Sequence, residues 1–223
     1  MGQAIGESIT FAIGVAISPI PIIAIILMLL SKKAGANSLA LAVGWVVGVA
    51  GATAIVIVAS GAIGPNSGGG PSHGVSTVKL VLGVLLLFTG LRHWRERPAP
   101  GEQASLPKWL KAIEGITPVK SGALGIGLSA INPKNLIMIV GGGLAIAGAP
   151  ASNGGKFVAA VVFVVLAIST VVLPVVLYRI LGNRAQRPLE SLNVWLQANN
   201  ATVMAVLILV IAVVLIGKGI SGY

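Results

Sequence analysis

The sequence predicts an all-α integral membrane protein of six transmembrane helices, built as two inverted three-helix repeats whose first helices are broken by proline. Three observations predict it. The 223 residues are 56% hydrophobic and 9% charged, the mean hydropathy is +0.99, and the apolar residues fall into runs of about 20, long enough to cross a hydrocarbon core. Two of these runs are interrupted near their middles, by Ser18-Pro19-Ile20-Pro21 and by Asn132-Pro133-Lys134-Asn135. The interruptions lie 114 residues apart in a chain whose half-length is about 111, and each opens a unit of three runs. An odd number of spans per unit inserts the second unit upside down, and broken helices at matching positions point to a binding site near the midplane.

The first span is expected from about Ala4 to Leu30, with Ser18 as a helix cap before Pro19. The second, about Leu39 to Ile63, carries Ala40, Gly44, Gly48 and Ala52 at every fourth position, a face that lets another backbone approach closely, within the monomer or in a dimer. Trp45 lies on this span, either at an interface or lining a cavity. Gly64 to Gly74, rich in Gly, Ser and Pro, reads as a loop that includes His73. The third span, about Val75 to Leu91, ends in the basic and aromatic stretch Arg92-His93-Trp94-Arg95.

The fourth span, about Ser121 to Ala149, holds the second break. Its Gly125, Gly127 and Ala130 imitate a dinucleotide fingerprint, but no strand precedes them and close helix packing is the expectation. The fifth, about Lys156 to Leu181, contains Pro174, with Ser169 and Thr170 placed to satisfy the carbonyls that proline releases. The sixth runs from about Asn200 to Ile216 and contains no charge. Between the units, Leu106, Trp109, Leu110, Ile113 and Ile116 recur at helical spacing, with Lys108 and Lys111 off that face. This predicts a short amphipathic helix, lying on the membrane surface through Lys108, Trp109 and Lys111 or packed against the protein's own spans. The chain thus divides into residues 1–91, a cytoplasmic linker over 92–120, and residues 121–223.

The formal charge is +10. In a chain this apolar, the excess belongs to basic cytoplasmic loops and not to nucleic-acid binding. Lys32, Lys33, Arg92, Arg95, Arg97, Lys108, Lys111, Lys120, Arg179, Arg184 and Arg187 fall on one side of a six-span topology, against Lys79, Lys156 and Lys218 on the other. The basic side is cytoplasmic by the positive-inside bias, which puts both termini outside a bacterial cytoplasmic membrane. The N-terminus has no basic region before its apolar run and reads as uncleaved.

The chain has no cysteine and no aspartate, which excludes thiol catalysis and thiolate metal sites and leaves few ligands for any metal. Ser18, Ser129 and Ser169 have no His or Asp partner within the membrane, so no enzyme activity and no cofactor are expected. The chemistry sits at the breaks. A helix start presents unpaired N–H groups and a positive dipole, so two starts at Pro19 and Pro133, with Lys134 between them, suit a carboxylate, phosphate or sulfate. Ser18, Pro19, Pro21, Asn132, Pro133, Lys134 and Asn135 form the candidate substrate site. An ionisable group at that depth is a functional candidate by default, the plain alternative being a lysine that reaches an interface. The carbonyls freed near Val15 and Ser129 would suit a cation instead. Glu7 is either a proton-coupling residue or an ordinary interfacial one.

On these residues the chain resembles the GAP family of the LysE transporter superfamily, the sulfolipid-1-addressing or Sap-like proteins. The resemblance rests on Ser18-Pro19-Ile20-Pro21, Pro107-Lys108-Trp109, Thr117-Pro118, and Gly125 through Asn132-Pro133-Lys134-Asn135-Leu136. It implies two inverted three-span repeats and movement of an anionic lipid or glycolipid toward the cell surface. The expected partners are a membrane lipid or other amphiphile, the bilayer, and either a second copy of the chain or a lipid-export complex. Two other functions stay open: a proton-linked exporter of a small solute such as an amino acid or ion, and an accessory scaffold of a lipid exporter.

Overall fold

The computed structural model describes residues 1–31, 34–62, 73–95, 113 and 115–221, and among them every regular element is helical. The first apolar run forms α1 (Gly2–Ala16) and α2 (Pro19–Leu29), bent by 51° between them. Then come α3 (Ala34–Ala62) and α4 (His73–Arg95). The second broken run is α5 (Pro118–Ile126), a π-helical turn (Gly127–Ile131) and α6 (Pro133–Gly148), with a bend of 62°. Last come α7 (Asn153–Leu181) and α8 (Gln186–Ile220), joined by a 3-10 turn at Gly182–Ala185.

Three stretches are long and apolar enough to cross a membrane, and up to five are if each bent pair counts as one span. Neither member of a bent pair crosses alone. The 11 residues of α2 reach only about 16 Å at 1.5 Å per residue, half of a hydrocarbon core of about 30 Å.

The two chain halves interlock. Helix α4 packs along α8, α3 along α5, and α1 between α6 and α7, while α2 reaches both α8 and α3. The seam between α3 and α5 depends on residues without side chains. A Cβ on Gly44 would meet the carbonyl oxygen of Gly122, and one on Gly48 would meet Ser129 Oγ. The small-residue face of α3 is therefore used inside the monomer. Gly141, Gly142 and Gly143 do the same for α6, against Phe11, Phe163 and Val56 in turn.

Helix α2 is buried almost all round, as a helix apolar on every side must be. Ile23, Ile25, Ile26, Met28 and Leu29 form the centre of the core with Met138, Ile139 and Phe163. Trp45 is 0% exposed, so it is a core residue, at neither an interface nor a cavity wall. The outer faces carry exposed Ile55, Val58, Phe88, Phe157 and Val213, the surface a hydrocarbon solvent requires.

Other expectations are corrected. His73 starts α4 and is not in the loop. The last helix begins 14 residues before Asn200, because Leu189, Leu192 and Leu196 recur at helical spacing inside a polar stretch. Lys32 and Lys33, and Lys108, Trp109 and Lys111 of the amphipathic segment, lie outside the described residues.

Candidate functional site

At the first break the backbone leaves the helix at Ile17 (φ −83°, ψ 73°) and Ser18 (φ −120°, ψ 97°). Proline demands this: the residue before it is pushed out of the helical region, and the ring carries no donor. A capping side chain normally reaches the N–H of the second or third helical residue. Here the first and third are Pro19 and Pro21, which leaves only Ile20 with a hydrogen to offer. Ser18 makes no capping bond to α2. This corrects its expected role and frees its hydroxyl for other partners.

Those partners come from α1 and α6, and a further helix braces the carbonyl next to them. Lys134 Nζ donates to the Ile17 carbonyl at 2.9 Å and to Ser18 Oγ at 2.7 Å. Ser18 Oγ lies 2.8 Å from both the Val15 carbonyl and Asn135 Oδ1, and its single proton serves one acceptor at a time. Thr170 Oγ1, arriving from α7, donates to the Ala16 carbonyl at 2.6 Å. The carbonyls that end α1 are thus occupied by the protein's own donors, so the cation site expected there is already filled.

The second break is built differently. Asn132 (φ −61°, ψ 118°) accepts from the backbone N–H of Lys134 at 3.1 Å. Asn135 Nδ2 donates across the π turn to the Leu128 carbonyl at 3.0 Å, and Ser129 Oγ donates to the Ile126 carbonyl at 2.9 Å. Asn132 is half-buried, while Ile131 and Pro133 are exposed.

The two breaks therefore form one joint. Ser18 is 3%, Lys134 5% and Asn135 0% exposed. Pro19 and Pro21 are buried beside them in α2. Among the described residues no carboxylate faces the Lys134 ammonium. Its partners are a hydroxyl and the carbonyl end of α1, where the helix dipole is negative. Instead of reaching an interface or standing in open space between two helix starts, Lys134 is inserted into the first break. Its third N–H has no partner among the described residues and leaves one donor to spare.

Glu7 is not part of this joint. It lies ten residues before Ile17 on α1, about 15 Å away along the axis, and accepts from Gln3 Nε2 at 3.0 Å. Sequence reasoning also missed Thr170, whose hydroxyl was assigned to carbonyls released by Pro174. It reaches a different helix instead, and Ser169 Oγ bonds the Leu166 carbonyl of its own helix at 2.7 Å. Thr170, with Ser169, interrupts an otherwise apolar stretch of α7, which is a usable signal, although no sequence rule names a partner 154 residues away.

These features define an all-helical protein of membrane type, with helices apolar enough to cross a bilayer and two broken helices cross-braced in its interior. The chain belongs to the family of Sap, the sulfolipid-1-addressing protein, whose pattern it matches over residues 9–221. That match contains both breaks and every residue of the joint. No curated protein and no solved structure matches the chain.

Proposed function

We propose that this protein moves an anionic lipid or glycolipid across or out of the bacterial cytoplasmic membrane, toward the cell surface. The observation that carries the reading is the joint itself. A buried ammonium that faces no carboxylate among the described residues holds two bent helices together through hydrogen bonds to a hydroxyl and a carbonyl. A sulfate or phosphate headgroup is a stronger partner for Lys134 than either, since it adds the attraction of an opposite charge to a hydrogen bond from the same ionised donor. Binding it would supply the missing negative charge, release the α1–α2 bend and let the two halves rock. Ser18, Asn132, Lys134 and Asn135 are the substrate-contacting residues, with Pro19, Pro21 and Pro133 setting the bends. The family's name supports a lipid as the cargo.

The mechanism rests on six spans in two inverted repeats, residues 1–91 and 121–223, with a cytoplasmic linker between and both termini outside. In support, α1–α2 corresponds to α5–α6 as a bent pair, α3 to α7, and α4 to α8. The packing follows the same exchange: α1 lies on α7 as α5 lies on α3, and α4 and α8 lie on each other. The 68 residues from Asn153 to Ile220 would be about 100 Å long as one rod, over three times the hydrocarbon thickness. The turn at Gly182, with φ 54°, divides them into two spans. No enzymatic step and no cofactor enter this mechanism.

The test is movement of a labelled anionic lipid between the leaflets of vesicles containing the purified protein. Lys134→Ala should abolish movement while the protein stays inserted and helical by circular dichroism. Unchanged movement would overturn the reading.

A further inference from the structure

We infer that the gap between α7 and α8 is a docking site for an anionic membrane lipid, with its headgroup on Arg184 and Arg187 and an acyl chain running inward to Thr170. The two helices meet at their corner but are not close-packed on each other. Between them, with α2 as the floor, lies a cavity of about 340 Å³. Its lining is carbon almost throughout, from Ile22, Leu173, Pro174, Leu177, Leu189 and Leu192. A water-filled slot of this composition would be unfavourable, and a hydrocarbon chain matches it.

The charge at one end decides what kind of chain. A second, polar cavity of about 570 Å³ is lined by Asn183, Arg184, Gln186, Arg187 and Glu190. Arg184 and Arg187 stand at the corner between α7 and α8, the end at which Leu177 and Pro188 line the apolar cavity. Arg184 and Arg187 are exposed and one turn apart, and they outnumber Glu190. Arg179 is engaged elsewhere, donating to the Gly35 carbonyl at 3.1 Å. A basic corner at the end of an apolar slot is complementary to an anionic amphiphile and not to a zwitterionic or neutral one.

The depth of the slot links it to the joint. From Leu181 to Thr170 is 11 residues, or about 16 Å along α7. At the inner end Thr170 both lines the cavity and braces the Ala16 carbonyl. A tail that fills the slot touches the side chain that steadies the first break. The inference deepens the lipid-transport reading and rests on it for that coupling, but the docking site is tested separately.

The experiment uses the full chain in phosphatidylcholine vesicles containing a minor fraction of phosphatidylglycerol that carries a photoreactive group near its chain end. Labelled peptides are mapped by mass spectrometry. Label is expected at Leu173, Leu177 and Leu192. At sub-saturating probe, R184Q/R187Q should reduce it by about 30-fold, since each basic side chain near the surface contributes about 1 kcal/mol and 1.4 kcal/mol is tenfold. Label at Phe88, on the lipid-facing surface of α4, should not change. Equal labelling of the slot by a photoreactive phosphatidylcholine, an unlabelled slot, or indifference to the two arginines would each overturn the docking site. Lipid movement measured in the same vesicles separates the two claims: movement with an unlabelled slot defeats the docking site alone, and a labelled slot without movement defeats the transport reading alone.

Discussion

The two breaks use similar sequence, a polar residue followed by proline, yet they are stabilised in opposite ways. Asn132 caps its own helix, and the π turn before it is closed locally by Asn135 and Ser129. Ser18 caps nothing, and the carbonyls around it depend largely on side chains from elsewhere: Lys134 and Thr170. The donor is present at both breaks: Ile20 offers the N–H that matches the Lys134 donor used by Asn132, yet the Ser18 hydroxyl is directed to Val15, Asn135 and Lys134 instead. The second break is self-sufficient and the first is held from outside. A joint of this kind can release one helix while keeping the other fixed.

The comparison can be broken or sharpened by substitution, taking stability as the unfolding free energy in mixed micelles. The largest effect is expected at the support of the second break. Gly48→Leu drives a side chain into Ser129 and the α5 backbone, so overpacking should cost about 3 kcal/mol or more and lower the yield of folded protein. Ser18→Ala comes next. It removes an acceptor from Lys134 and a donor to Val15 or Asn135, at a cost of about 2 kcal/mol, because buried groups are left unpaired. Thr170→Val keeps the shape and orphans one lone pair of the Ala16 carbonyl, for about 1 kcal/mol. Asn132→Ala loses a half-exposed cap, worth about 1 kcal/mol at most. If Asn132→Ala proved costlier than Ser18→Ala, the assignment of dependent and independent breaks would be reversed. The smallest effect is expected at Glu7: Glu7→Gln should leave lipid movement unchanged, and a loss would favour a proton-linked exporter.

Much of the fold was legible because its signals are local. Proline breaks a helix wherever it falls, and a run of about 20 apolar residues has few alternatives to a bilayer. Both bends, the helical class and the family followed from such signals. The Asn132 cap was legible for the same reason. What lies beyond sequence is the pairing: Lys134 finds Ser18 across 116 residues, and Thr170 finds Ala16 across 154. Those distances are fixed by how α1 packs between α6 and α7, not by anything near either residue. The start of α8 was missed because hydropathy follows average polarity, whereas the apolar spacing of Leu189, Leu192 and Leu196 persists beneath the polar residues around them.

The central claim is that the two breaks are one energetic unit, and a double-mutant cycle on Ser18→Ala and Lys134→Met tests it most directly. The account predicts a coupling of about 1 kcal/mol or more, as for groups in one buried network. Effects that simply add, to within about 0.5 kcal/mol, would mean that the breaks are independent and would contradict it.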